Sequence, residues 1–238
     1  MTWLAQSSSS LILPETVTLV SAKLDLSTLN EKTLLEFALQ NDIALPETLD
    51  RAVLKRRADF IAGRFCACRA LVLAGSSGPS EVGTAENRAP IWPSGWVGSI
   101  THTEGYSSAA VAKANSLRAI GIDSERLFTE QVCEEVSAKV LVEGERLLFE
   151  RSLAPMTSFS QFVSVVFAIK ESLFKALNPL TGTYFDMENA ELIAFDFSKG
   201  TARWKLLTEL SGEFTTGKEG HARFSMDATH VHAGIVIV

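Results

Sequence analysis

The sequence predicts an α+β protein, and three of its features carry that reading. Two long helical stretches flank a run of short β-prone segments, and a strand-rich tail closes the chain. The elements also fail to alternate strand, helix, strand as a doubly wound parallel sheet requires.

Taken in order, Val17 to Val20 reads as a short strand and Asn30 to Asn41 as a helix. After Pro46 a long helix follows, with Leu54, Ala58, Ile61, Phe65, Cys68 and Val72 forming one apolar stripe. Gly75-Ser-Ser-Gly-Pro79 ends it, a polar loop runs to about Asn87, and Trp92-Pro93 and Ser94-Gly95 are loop. Gly98–His102, Ser107–Ala112 and Arg118–Ile122 are short strands between turn residues. Acidic helical stretches fill about 129–150. A second strong helix covers Phe159 to Leu177 and is expected to stop at Asn178-Pro179, because a residue before proline is pushed out of the helical region. Ala190–Phe197, Ala202–Leu207, Ala222–Met226 and Val231–Val238 are the strands of the tail.

Composition bounds the function. A chain of 238 residues can form one large domain or two packed halves, and 46% hydrophobic with 21% charged residues is ordinary for a globular protein. The net charge of -6 leaves no global basic footprint for nucleic acid. No run of about 18 apolar residues exists to span a membrane. The opening MTWLAQSSSSLILPE lacks the basic start of a secretory signal, so a cytoplasmic protein is expected. Cys66, Cys68 and Cys133 are an odd set, and Cys66-Ala-Cys68 lacks the two-residue gap of a zinc or redox pair. They read as small thiols of a reducing compartment.

Three places carry chemistry. In Ala119-Ile-Gly-Ile-Asp-Ser-Glu125 an apolar strand ends in two carboxylates two residues apart, so Asp123 and Glu125 share a face while Ser124 points away. Paired carboxylates repel unless a cation lies between them, and oxygen donors suit a hard ion such as Mg²⁺; two solvated charges at a strand end are the plainer alternative. In Phe167-Ala-Ile-Lys-Glu-Ser-Leu-Phe-Lys175 an apolar helix carries Lys170, Glu171 and Lys175. Glu171 and Lys175 lie one turn apart, where a surface pair is worth only about 0.2–0.5 kcal/mol. Charges in apolar surroundings need partners, which a metal at Glu171 and a phosphate at Lys175 would supply. Ser99-Ile-Thr-His102 places a histidine beside a hydroxyl at the end of a strand, while His221, His230 and His232 read as structural or surface residues.

The long first helix adds a local basic excess. Arg51, Lys55, Arg56, Arg57, Arg64 and Arg69 stand against a single carboxylate, Asp59. Arg57 and Arg64, seven apart, share a stripe about 10 Å long, and arginine suits fork-like phosphate binding. A solvated helix face is the alternative. Arg88 precedes the proline-bounded Ala89-Pro-Ile-Trp-Pro93.

Read in order, K-R-R-A-D-F-I-A-G-R (55–64), R-A-P-I-W-P (88–93), G-S-I-T-H (98–102), G-I-D-S-E (121–125) and F-A-I-K-E-S-L-F-K-A-L (167–177) resemble the 4'-phosphopantetheinyl transferases of the surfactin and enterobactin type, particularly the enterobactin synthase component D branch. The resemblance covers about 50–185, more weakly the last strands. It implies two similar α/β halves related by a pseudo-twofold axis, here 1–116 with the coenzyme A arginines and 117–238 with the metal carboxylates. It implies Asp123, Glu125 and Glu171 as magnesium ligands, and His102 and Lys175 at the coenzyme A pyrophosphate, with Thr101 and Lys170 beside them. Arg64 and Arg57, or the adjacent Arg56, would hold the 3'-phosphate and adenine end, and Arg88 would lie near coenzyme A.

The implied reaction moves the phosphopantetheine arm of coenzyme A to a carrier-protein serine and releases 3',5'-ADP, with Glu171 or a water beside it as the base. The implied partners are apo acyl carrier proteins and peptidyl or aryl carrier domains of fatty-acid, polyketide, nonribosomal peptide or siderophore synthesis, approached by a monomer through a local apolar contact. Ser124, Thr101 and Ala168 depart from the usual residues of these blocks without removing a metal or phosphate ligand. Two other readings use the same side chains: a Mg²⁺-dependent nucleotide or pyrophosphate hydrolase, and a non-catalytic module that binds coenzyme A or a carrier.

Overall fold

A computed structural model describes residues 4–7, 12–77 and 81–238. The serines at 8–10 and the Gly78-Pro79 pair lie outside these. The fold is α+β, in two compact units. The first takes in Glu15–Leu117 with the first strand; the second takes in Arg118–Val238 and the short stretch holding Ile12 and Leu13, which lies against Gly234.

The sheet of the first unit is built from β1 (Leu4–Ser7), β2 (Thr18–Lys23), β5 (Trp96–Thr103) and β6 (Tyr106–Lys113), in the order β1-β2-β6-β5 with every neighbour antiparallel. β3 (Gly83–Thr84) and β4 (Pro90–Ile91) form a small ribbon inside the segment expected to be loop. Short ladders of two residues leave no alternation to read. Helix α1 (Glu31–Gln40) is capped by Asn30, whose side chain accepts from Thr33 N–H, and is followed by α2 (Leu54–Leu73).

α2 crosses β6, β2 and β5; of the stripe expected, Ala58 and Ile61 are buried, and the buried side extends beyond it to residues outside the stripe. Ala58, Ala62, Cys66, Ala67 and Ala70 face inward, whereas Val72 is 51% exposed. Small side chains let the helix approach the sheet closely: a methyl group on Gly63 would come within 2.8 Å of Ile100 Cγ2. Weighting the large apolar residues therefore catches Ile61 but misses the small residues that complete the inward face.

The second unit is a five-stranded antiparallel sheet, order β7-β11-β10-β9-β8, from β7 (Ala119–Arg126), β8 (Ala190–Asp196), β9 (Thr201–Leu206), β10 (Glu219–Met226) and β11 (His230–Ile237). Between β7 and β8 come α3 (Glu130–Val140), α4 (Glu143–Leu148), a π-helical turn at Phe149–Leu153, and α5 (Phe159–Thr181). α5 opens with a capping box between Ser158 and Gln161. It lies on β7 and β11 and buries Phe162, Ile169, Leu173 and Leu177 in a core shared with Trp204, Leu206, Val231 and Ile235.

The expected stop at Asn178-Pro179 does not occur: Pro179 lies inside the helix, which ends at Gly182 in the left-handed conformation (φ 65°). So near the end a proline forfeits one backbone hydrogen bond. The last turn is tied instead by Thr181 Oγ1 donating to Leu177 O and by Gly182 N donating to Asn178 O. Among the described residues no helix is long and apolar enough to cross a membrane.

Candidate active site

The site in the second unit starts from a glycine. A methyl group on Gly121 of β7 would run into the Ser172 carbonyl oxygen, so only glycine lets α5 lie this close to the strand. Ser172 turns its own hydroxyl back to Ala168 O and is fully buried. The β7–β11 register runs unbroken from Ala119 to Arg126, so strand alternation places Asp123 and Glu125 on the Gly121 face, toward α5. Ser124 takes the opposite face and meets His232 Nδ1 at 2.9 Å. Glu171 precedes Ser172 on α5 and Lys175 follows it by three residues, so one close helix–strand contact brings Lys175 to Asp123, some fifty positions away.

Lys175 Nζ donates to Asp123 Oδ1 at 2.7 Å and to Ile122 O at 3.2 Å. Asp123 is buried, and Glu171 and Lys175 are partly so. Burial raises the Glu171 carboxyl above its ordinary value; the Lys175 ammonium opposes that rise and the Asp123 carboxylate adds to it. Among the described residues no three His, Cys, Asp or Glu side chains are gathered as a metal-binding group. In kind, the donors fit a hard divalent ion: Asp123 and Glu125 are carboxylates on one face of β7, and Asp123 repels the Glu171 carboxylate of α5. A positive charge, the lysine ammonium, is already seated against Asp123.

Lys170, expected at the phosphates, is committed elsewhere. Its ammonium is 2% exposed and donates to Glu145 Oε2 (2.9 Å) and Val140 O (2.8 Å). Glu145 is 0% exposed, and its two oxygens also accept from Val142 N and Leu192 N, tying α4 to β8. Burial raises the Glu145 carboxyl and lowers the Lys170 ammonium from their ordinary values, each against the attraction of the other. Lys170 thereby positions α5 from within. Beside Glu171 a cleft opens, lined also by Lys170, Phe174, Tyr184, Phe185, Asp186 and Met187.

The first unit carries a second cluster. His102 stands near the end of β5, with Arg56 Nη1 3.1 Å from its Nε2 and Asp59 Oδ2 3.8 Å from its Nδ1. Burial raises the Asp59 carboxyl, opposed by His102, Lys55 and Arg56. Thr101 alternates to the opposite face from His102 and is buried, so its hydroxyl and the imidazole do not share a side.

Of the arginines on α2, Arg56 is the one beside the histidine. Arg57 donates to Glu31 Oε1 at 2.6 Å and so ties α2 to α1. Arg64 is buried, donates to Gly83 O (3.0 Å) and Thr84 Oγ1 (2.8 Å), and lies over the Phe60 ring. The stripe shared by Arg57 and Arg64 is thus turned inward to neighbouring elements. Arg88 is exposed between β3 and β4 with φ 69°, a conformation unusual for a residue with a side chain.

Asp59, Glu145 and the reason for Gly121 escaped the sequence reading. Glu145 had a readable signal: Lys170 is ringed one turn away by Val166, Phe167, Leu173 and Phe174, and such a lysine needs a buried acid.

Comparison with known proteins follows the same two parts of the chain. Residues 45–112 match the family described as 4'-phosphopantetheinyl transferase N-terminal domain, and residues 119–233 match the 4'-phosphopantetheinyl transferase superfamily. The chain is 40% identical to 4'-phosphopantetheinyl transferase Npt of Nocardia iowensis over 64% of its own length and 65% of that protein. It is 38% identical to 4'-phosphopantetheinyl transferase Svp of Streptomyces mobaraensis, over 71% of this chain and 68% of that one. It is 33% identical to enterobactin synthase component D of Escherichia coli (strain K12), over 59% and 65%. The chain thus spans just under two thirds of the length of Npt and of the enterobactin component.

Proposed function

Because this chain belongs to the 4'-phosphopantetheinyl transferase superfamily, we propose that it moves the 4'-phosphopantetheine arm of coenzyme A to a serine of a carrier protein. The observation that carries the proposal is the meeting of Asp123 on β7 with Lys175, one turn from Glu171, on α5. It sets acidic and basic groups together at a half-buried place with an open cleft alongside.

The serine Oγ attacks the β-phosphorus of coenzyme A. An Oγ–P bond forms, the P–O bond to the α-phosphate breaks, and 3',5'-ADP leaves with the electron pair. Glu171 takes the serine proton, and its raised carboxyl holds a proton better than an ordinary one. Lys175 carries charge to the phosphates, and His102 with Arg56 forms the cationic cluster that the first unit offers to coenzyme A. Arg57, Arg64, Arg88 and Thr101 complete the coenzyme A side, Arg57 and Arg64 by holding α2 to its neighbours. Such displacements depend chiefly on positioning and charge neutralisation.

Asp123, Glu125 and Glu171 are the residues to hold Mg²⁺, which when bound supplies Lewis-acid polarisation of the phosphates. The apolar wall of Phe174, Phe185 and Met187 gives the arm a place to lie beside Glu171. On this reading 1–116 is the coenzyme A half and 117–238 the metal half of a cytoplasmic monomer. Carriers of fatty-acid, polyketide, nonribosomal peptide or siderophore synthesis are its acceptors. With a net charge of -6 the chain gains nothing from global steering toward an acidic carrier, so docking rests on local apolar contact.

The competing hydrolase differs only in the attacking oxygen. Release of 3',5'-ADP from coenzyme A should therefore require a carrier bearing its serine. Rapid release without carrier, or with a serine-to-alanine carrier, would assign the chain to hydrolysis.

A further inference from the structure

Lys175 sets a positive charge directly against Asp123. Its ammonium lies 2.7 Å from Asp123 Oδ1 and is pinned further by Ile122 O. A metal ion sharing Asp123 with it would meet like charge at contact range. Among the described residues no three His, Cys, Asp or Glu side chains are gathered as a metal-binding group. The two partners differ in freedom. Asp123 sits on a strand with its side chain 5% exposed, whereas the lysine side chain is 27% exposed on a flexible four-carbon stem. The ammonium can leave; the carboxylate cannot follow it.

We propose that Lys175 is an internal cation that holds the carboxylate group shut until a pyrophosphate-bearing co-substrate draws it away, so that the divalent ion and coenzyme A bind with positive coupling. A pyrophosphate offers the ammonium several anionic oxygens in place of one. Once the lysine has moved, Asp123 regains its oxygen for the metal, and Glu171 loses the ammonium that had opposed its neighbour's charge. Linkage makes the effect reciprocal: the metal favours the lysine position that meets the phosphates. The inference deepens the function proposed above and rests on it.

The test is Mn²⁺ binding, followed by electron paramagnetic resonance on chelator-treated protein, with and without saturating coenzyme A. In the wild type, coenzyme A should tighten Mn²⁺ binding by about 5–150-fold, the usual span of such coupling. Lys175→Met should bind Mn²⁺ tightly without coenzyme A and gain little from adding it; Lys175→Gln should behave alike, and Lys175→Arg like the wild type. Equal Mn²⁺ affinity in the wild type with and without coenzyme A would overturn the lock and leave the transferase reading intact. The lock falls in the same way if neither neutral variant binds Mn²⁺ more tightly than the wild type. Absence of Mn²⁺ binding by any of the proteins, even with coenzyme A, would instead remove the metal-dependent function and the lock with it.

Discussion

Removing the ammonium of Lys170 separates a structural lysine from a phosphate-binding one. The Lys170–Glu145 pair is closed from solvent at 2.9 Å. At an effective dielectric of about 20, that distance corresponds to about 6 kcal/mol of attraction, set against several kcal/mol of desolvation for each ion. The intact pair is therefore worth little in net terms, but Lys170→Met strands the Glu145 carboxylate in the core. Breaking one partner of such a pair costs about 3–5 kcal/mol, a large share of the about 5–15 kcal/mol that holds an ordinary domain together. Urea unfolding of Lys170→Met should show that loss. The double variant Lys170→Met/Glu145→Gln should regain part of it, because no bare charge remains and the glutamine oxygen still accepts from Leu192 N. Where the variants are folded, coenzyme A should bind them as it binds the wild type. A Lys170→Met protein as stable as the wild type but unable to bind coenzyme A would refute this account of the residue.

Other perturbations test other joints. Gly121→Ala should cost at least about 1–3 kcal/mol, since the new methyl group collides with Ser172 O, and it should also cut activity by pushing α5, and Glu171 with it, away from β7; a variant with wild-type stability would show that the close approach is not required. Burial pushes the Cys66 thiol up to about 12, so at pH near 8 Cys66 should stay unlabelled by iodoacetamide in the native protein and react only after unfolding; prompt native labelling there would contradict the packing of α2. In the turn between β10 and β11, hydrogen bonds from Thr229 N, above all, and from His230 N hold the Asp227 carboxyl down at about 2. A depressed carboxylate stabilises the fold above its unfolded value of about 3.9 and loses that contribution as pH falls through the folded value. The wild type's advantage in thermal midpoint over Asp227→Asn should therefore shrink as the pH is lowered from about 5 toward 2, and an advantage constant with pH would count against it.

Much of the fold was legible because it rests on periodicity and on turn chemistry. The strand runs around 98–122, the tail strands and both long helices follow from side-chain spacing and from the residues that break it. What escaped was set by tertiary contact. Pro179 stops no helix here, because the following turn is tied by Thr181 and Gly182. Beside Ile61 and Leu71, the inward face of α2 holds several alanines and Cys66, which carry little weight in a hydrophobic count but allow close packing.

The same division holds for the site. The order of the blocks singles out Asp123, Glu171 and Lys175, but with the lysine at a phosphate; its direct bond to Asp123 is not legible there. Nor is the acid that the buried Lys170 pairs with, because Glu145 lies twenty-five residues upstream on another helix. The arginines of α2 show it too: adjacent positions on a helix point about 100° apart, so Arg56 reaches His102 while Arg57 turns to Glu31.

The most direct test is the intact mass of several purified apo carrier proteins incubated with this protein, coenzyme A and Mg²⁺. At least one carrier should gain the mass of a single phosphopantetheine arm, on its serine, with Glu171→Gln inactive though folded. Carriers that accept the arm from another transferase, yet stay unchanged with this protein under the same conditions, would contradict the assignment.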